Sequence, residues 1–102
     1  SLDTPQVRDR LDDAGTAELS IVVAGARRDL GQPEAAARLL EQEALSSTSR
    51  EPWVARLRYA YADVLAELGR RDDAIEWFHR TVAVDGNRET DAEERLAELG
   101  EA

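Results

Sequence analysis

Thirteen arginines and no lysine carry the positive charge of this 102-residue chain, against 22 acidic residues, for a net charge of −9. Several of them come in pairs: Arg27-Arg28, Arg56 with Arg58, and Arg70-Arg71. A guanidinium is a planar fork of donors that matches carboxylate or phosphate, so the chemistry on offer is anion recognition. The pairs are expected to be solvated helix faces and helix ends, and basic residues that are all Arg, beside 17 Ala, are expected of a GC-rich genome. Aligned into one strip, they would suit an acidic peptide segment. A chain this acidic opposes docking along a phosphate backbone, so no nucleic-acid partner is expected.

Other chemistry is sparsely provided. The single histidine, His79, falls in mid-helix between Phe78 and Arg80, on the expected outer face, and no Ser-His-Asp order can be built around it. With no cysteine there is no thiolate, disulfide framework or cysteine metal site. The carboxylates of Asp12-Asp13 and Asp72-Asp73 are helical neighbours that point apart, outside any loop of alternating ligands. Gly25, Gly31, Gly69 and Gly100 are too scattered to cradle a phosphate. No metal, cofactor or enzymatic activity is expected.

The elements that must position these residues are helices. Val54, Leu57, Tyr61, Val64, Leu65 and Leu68 recur in steps of three and four, with Ala55, Ala62 and Ala66 beside them. Gly69 can turn left-handed past the helix end, and Asp72-Asp73 place acids in a new first turn. A second stripe follows, Ala74, Ile75, Phe78, Val82 and Val84, with Trp77 on its flank, and it ends at Asp85-Gly86-Asn87. Alanines at 62 and 74 let the two helices approach closely, and Tyr61, Leu65 and Phe78 fill the space around that contact. Thr4-Pro5 is a helix start and sets a flanking helix at 4–15 with Val7 and Leu11 inward. Thr90 and Glu93 fit a capping box for a last helix, 89–100, with Ala92, Leu96 and Leu99 as its narrow apolar stripe. Phe78 and Tyr61 read as core, Trp53 as packed under a neighbouring loop, and Trp77 as a contact to the last helix.

In residues 53–86 the small residue Ala62, Gly69 at the turn, Ala74 after it and Phe78 one turn later resemble a tetratricopeptide repeat, with Tyr61 and Leu65 at its large apolar and aromatic positions. The chain departs from the motif at Arg58, in the first aromatic position, at Thr81, in place of a small Ala, and at Gly86, in place of the closing Pro. Upstream, Ala24, Gly31, Ala36 and Leu40 stand 38 positions before Ala62, Gly69, Ala74 and Phe78. The family period is about 34, and the polar insertion Ser46-Ser47-Thr48-Ser49 takes up the surplus. The resemblance implies an all-α fold in which antiparallel helix-turn-helix repeats stack as a short right-handed solenoid. It would be one domain over 1–102: a flanking helix 4–15, a degenerate repeat 17–45, a linker loop 46–52, a second repeat 53–86 and a capping helix 89–100. One core fits this length.

Function follows from the same resemblance. Repeats of this kind bind protein segments on the concave face lined by their first helices, which selects Ile21, Gly25 and Arg28 in one unit and Arg56, Tyr59, Asp63 and Glu67 in the other. Arg28, Arg56 and Tyr59 are expected to contact an extended or helical partner segment, and Asp63 and Glu67 to set its charge preference. The variant of the family that clamps a C-terminal carboxylate uses Lys and Asn. This chain has no Lys and carries Gly25 and Asp63 at the Asn position, so that specificity does not transfer. The alternative is a C-terminal capping module of a longer bacterial repeat protein that self-associates as a homodimer through Trp53, Trp77 or the last helix. No run approaches a span of about 18 apolar residues and no signal segment opens the chain, so a soluble, cytoplasmic protein is expected. With no Met, Ser1 reads as the start of a fragment or processed product, with further repeats before it.

Overall fold

Proline opens the first three helices and glycine closes two of them. The computed structural model describes residues 5–100, with side chains described from residue 13 on. It runs α1 (Pro5–Asp29), α2 (Pro33–Ser46), α3 (Pro52–Glu67), α4 (Arg71–Val84) and α5 (Ala92–Glu98), and no strand occurs among the described residues. Proline suits a first helical turn because its missing N–H would have no partner there and its φ is already helical.

The turns that close α1 and α3 are the same device, 38 residues apart. Gly31 and Gly69 take φ of 75° and 78°. At the first, the amide of Gln32 bonds the Arg27 carbonyl at 2.9 Å and that of Gly31 bonds Arg28 at 2.9 Å. At the second, Arg70 bonds Leu65 at 2.9 Å and Gly69 bonds Ala66 at 3.1 Å. This doubled reverse bond satisfies carbonyls that a helix end leaves free, and the left-handed residue it needs is costly with a Cβ. The reversal makes α1–α2 and α3–α4 helical hairpins, and α3 also packs on both helices of the first hairpin while α5 covers α4. Ala62 and Ala74 are fully buried where α3 meets α4, and Ala24, Ala36 and Leu40 occupy the corresponding places in the first hairpin.

Several expectations are corrected. The separate flanking helix 4–15 is instead the first half of the single helix α1, because Gly15 in mid-helix costs only about 1 kcal/mol and nothing else interrupts the chain. Thr4 and the side chains of Val7 and Leu11 lie outside the described residues. The linker loop narrows to residues 47–51 between α2 and α3. Trp53 is half-buried and borders a hollow shared with Ser46, Ser47, Thr48 and Ser49.

On α4 the buried side chains are Ala74, Trp77, Phe78 and Thr81, so the inward face is rotated from the expected stripe, with Ile75 and Val82 only partly covered. Trp77 meets the Tyr61 ring edge-on at 5.1 Å under the Arg80 guanidinium, a packing against α3 where α5 was expected. Buried in this way, it offers no surface for self-association. Thr81 is fully buried because its hydroxyl donates to the Trp77 carbonyl at 2.8 Å, which removes the cost of an unpaired polar group.

The expected capping box does not form. Asp85 takes the amides of Glu89 and Thr90 at 2.9 Å each and the Thr90 hydroxyl at 2.6 Å, so the Thr90 amide is not free for Glu93. Glu93 instead faces Arg88 at 3.8 Å. The helix begins at Ala92 and is shorter than the predicted 89–100.

Candidate protein-binding groove

The first helices of the two hairpins, α1 and α3, lie side by side and leave a concavity of about 340 Å³ between them. Ile21, Gly25 and Arg28 line it from α1, and Arg56, Tyr59 and Asp63 from α3. Ala24, Leu40 and Ala60 add apolar floor, and Thr90 closes one end. Six of the seven residues selected from the sequence therefore share one hollow. The seventh, Glu67, stands beside it, bonded to Arg28 Nε. Gly25 contributes by omission: a Cβ built there meets nothing within 4 Å, so the lack of a side chain deepens the hollow.

The polar groups around this apolar floor are tied to one another. Arg28 donates from Nη1 to Asp63 at 2.9 Å, and Asp63 accepts Arg95 of α5 with its other oxygen at 2.8 Å. Tyr59 donates to Asp91 and accepts Arg95 Nη1 at 3.2 Å. Arg56 bonds Glu18 of α1 at 2.8 Å and faces Glu89 at 3.6 Å. Burial works to raise the Asp63 pKa, but the hydrogen bonds from Arg28 and Arg95 outweigh it and hold this carboxyl below the usual range. For Arg28 and Arg95 burial opposes the charge, and their bonds to Asp63 and its neighbours raise both above the ordinary guanidinium value. Burial, then the bond to Asp91, pushes the Tyr59 phenol up.

Sequence reasoning missed Arg95, Glu18, Glu89 and Asp91. Glu18 carried a signal, since it precedes Arg56 by the same 38 positions that relate the repeats, and adjacent first helices bring equivalent positions together. Arg95 and Asp91 carried none, because the turn held by Asp85 decides where α5 lands. The arginine pairs do not align. Arg58 turns away to the carbonyls of Ser47 and Arg80 at 3.1 and 3.0 Å, Arg27 bonds Gln32, and Arg70 is paired with Asp73.

Two hairpins of equivalent helices with buried Ala and Phe or Leu at matching offsets, each closed by a left-handed Gly, are repeats of one unit. A tetratricopeptide repeat profile matches residues 27–99. The chain belongs to the tetratricopeptide repeat family. No curated protein and no solved structure matches it. Proteins of this family generally mediate protein–protein interaction and are typically non-catalytic scaffolds. Among the described residues no group of three or more His, Asp or Glu stands where it could hold a metal ion, and no helix is long and apolar enough to cross a membrane. His79 is exposed on α4 and does not line the groove.

Proposed function

We propose that this tetratricopeptide repeat chain is a scaffold whose groove between α1 and α3 holds a segment of another protein by inserting one large apolar side chain. The supporting observation is the convergence of Ile21, Gly25, Arg28, Arg56, Tyr59 and Asp63 on a hollow of about 340 Å³, roomy enough for an aromatic or leucine side chain over an apolar floor. Charge then selects the flanks of that segment. At the mouth, the arginines 28, 56 and 95 are outnumbered by the carboxylates of Glu18, Asp63, Glu67, Glu89 and Asp91; Asp91 is bonded to Tyr59, and each of the others bonds or faces one of the arginines. The excess is negative, as in the whole chain. The favoured partner segment therefore carries Lys or Arg beside its apolar anchor, the reverse of the acidic peptide that the arginine pairs suggested.

Selection from a displayed peptide library on the intact chain tests this. Enriched sequences are expected to pair a Leu, Phe or Trp with basic neighbours, to bind more weakly as salt rises, and to lose at least tenfold in affinity to Ala60→Trp, which fills the hollow, and to Tyr59→Ala, which removes its wall. Enrichment of acidic peptides, or affinity unchanged in both variants, would remove these residues from the site.

A further inference from the structure

The largest unexplained apolar surface lies on the far side of α1 from the groove. Leu19, Val22 and Leu30 are 64%, 68% and 71% exposed, with Val23 and the α2 residue Leu39 about half as much. At 100° per residue, Leu19, Val22, Val23 and Ala26 form one stripe of α1, continued by Leu30 in the turn just after it, whose amide still bonds the Ala26 carbonyl, and it lies opposite the fully or nearly buried Ala17 and Ala24. The other end of the stack is finished differently, since α5 turns Glu93, Glu94 and Glu98 to water. An exposed apolar row of this kind is unlike the singly scattered apolar residues of an ordinary surface and marks an interaction face.

The spacing of the stripe says what would cover it. In an antiparallel pairing of two such helices centred between positions 22 and 23, Leu19 comes level with Ala26 of a second copy and Leu30 with Gly15, while the two Val22 and the two Val23 side chains meet beside the axis. Each leucine faces a small residue, and at Gly15 a Cβ would meet nothing within 4 Å, so the hollow is open. A two-fold interface needs such self-complementarity, and a foreign partner does not impose it. Helix α1, 25 residues and about 37 Å long, provides a rod of the length required.

We infer that two copies of this chain associate back to back through α1, antiparallel about a two-fold axis between Val22 and Val23, which leaves both grooves open on the outside of the dimer. Each copy carries −9, so pairing strengthens as salt screens the repulsion.

Sedimentation of the full chain over a range of concentration tests this directly. The expected mass rises to twice 11.3 kDa, and rises further toward the dimer limit with added salt. Val22→Glu is expected to return it to monomer with unchanged helical circular dichroism, since the side chain is exposed, whereas Leu45→Glu, an equally exposed position outside the stripe, keeps the dimer. The chain has no cysteine, so Val23→Cys oxidised in air should give one cross-linked dimer. A chain that stays monomeric at every concentration, because the face is left bare or is covered by another segment or partner, overturns the proposal. So does a dimer that survives Val22→Glu or is lost with Leu45→Glu, and failure of the Val23→Cys cross-link overturns the antiparallel register. None of these outcomes depends on peptide binding in the groove, so this inference and the proposed function fail separately.

Discussion

Asp63 joins three helices through one carboxylate, accepting Arg28 of α1 and Arg95 of α5 from its own place on α3. Its removal leaves two partly buried guanidinium groups facing each other, so Asp63→Ala should cost about 2 kcal/mol in urea denaturation. The pH dependence has a definite sign. With its folded pKa held below the unfolded value of about 3.9, Asp63 contributes stability that is complete near neutral pH and is lost as pH falls through the folded value. Urea midpoints measured from pH 5 downward should therefore fall less steeply for Asp63→Asn than for the parent chain. Asp85 is shifted in the same direction, with burial opposed by bonds from Thr90 and Glu89, so part of the slope remains. Arg58, which fills an aromatic position of the repeat motif, ties the carbonyls of Ser47 and Arg80 with two arms of one fork. Lysine has one ammonium and cannot span both, so Arg58→Lys should recover little of the roughly 1–3 kcal/mol lost in Arg58→Ala. Thermal unfolding of the pair of variants distinguishes this from a simple charge effect.

At the scale of the element, Gly69 at a helix end and Gly15 inside α1 should respond oppositely to the same substitution. Gly69 is left-handed with φ of 78° and open space where a Cβ would go, so the penalty of Gly69→Ala is one of backbone conformation and should be about 1–2 kcal/mol. Gly15 lies within α1 and also has room for a Cβ, so Gly15→Ala should raise stability by about 0.5–1 kcal/mol. A gain there in the urea midpoint would follow from one continuous α1. If 4–15 were a separate helix turning at Gly15, the same change would be neutral or harmful. That continuity was hard to read because the apolar positions of 4–15 are too few to fix a phase with those of 17–29. The hairpins were easier, since Gly31, Gly69 and the alanines act through local rules that hold wherever the helix sits.

Across the whole molecule, Phe78 is a ring shared by three helices. It is fully buried on α4, meets Tyr59 of α3 edge-on at 5.4 Å and lies under the Arg95 guanidinium of α5 at 4.9 Å. A stack held by contacts between neighbouring layers depends on such residues more than a globular core would. Phe78→Ala should cost about 3–5 kcal/mol, a large part of the 5–15 kcal/mol that separates folded from unfolded in small domains. Circular dichroism at 25 °C should show it partly unfolded, and the groove wall formed by Tyr59 lost with it.

The amino-acid order alone determined the two helical hairpins and their repeat of 38 residues, because helical period, left-handed glycine and small-residue contacts are properties of short segments; the six residues that line one hollow were reached only through what the family resemblance implies. Tertiary structure alone decided how those side chains are used. Arg28, Arg56 and Tyr59 line the same hollow, but their hydrogen bonds go to Glu18, Asp63, Glu67, Asp91 and Arg95, and Glu89 stands 3.6 Å from Arg56, so the charge at the mouth is acidic where arginine pairs had suggested the opposite. The inward turn of Trp77 was decided by ring packing against Tyr61 of α3, whereas the course of the chain from Asp85 toward Ala92 is held by local bonds from Glu89 and Thr90. The bonds around the groove are a competition between partners distant in sequence, settled by which donor and acceptor the packed helices bring within about 3 Å.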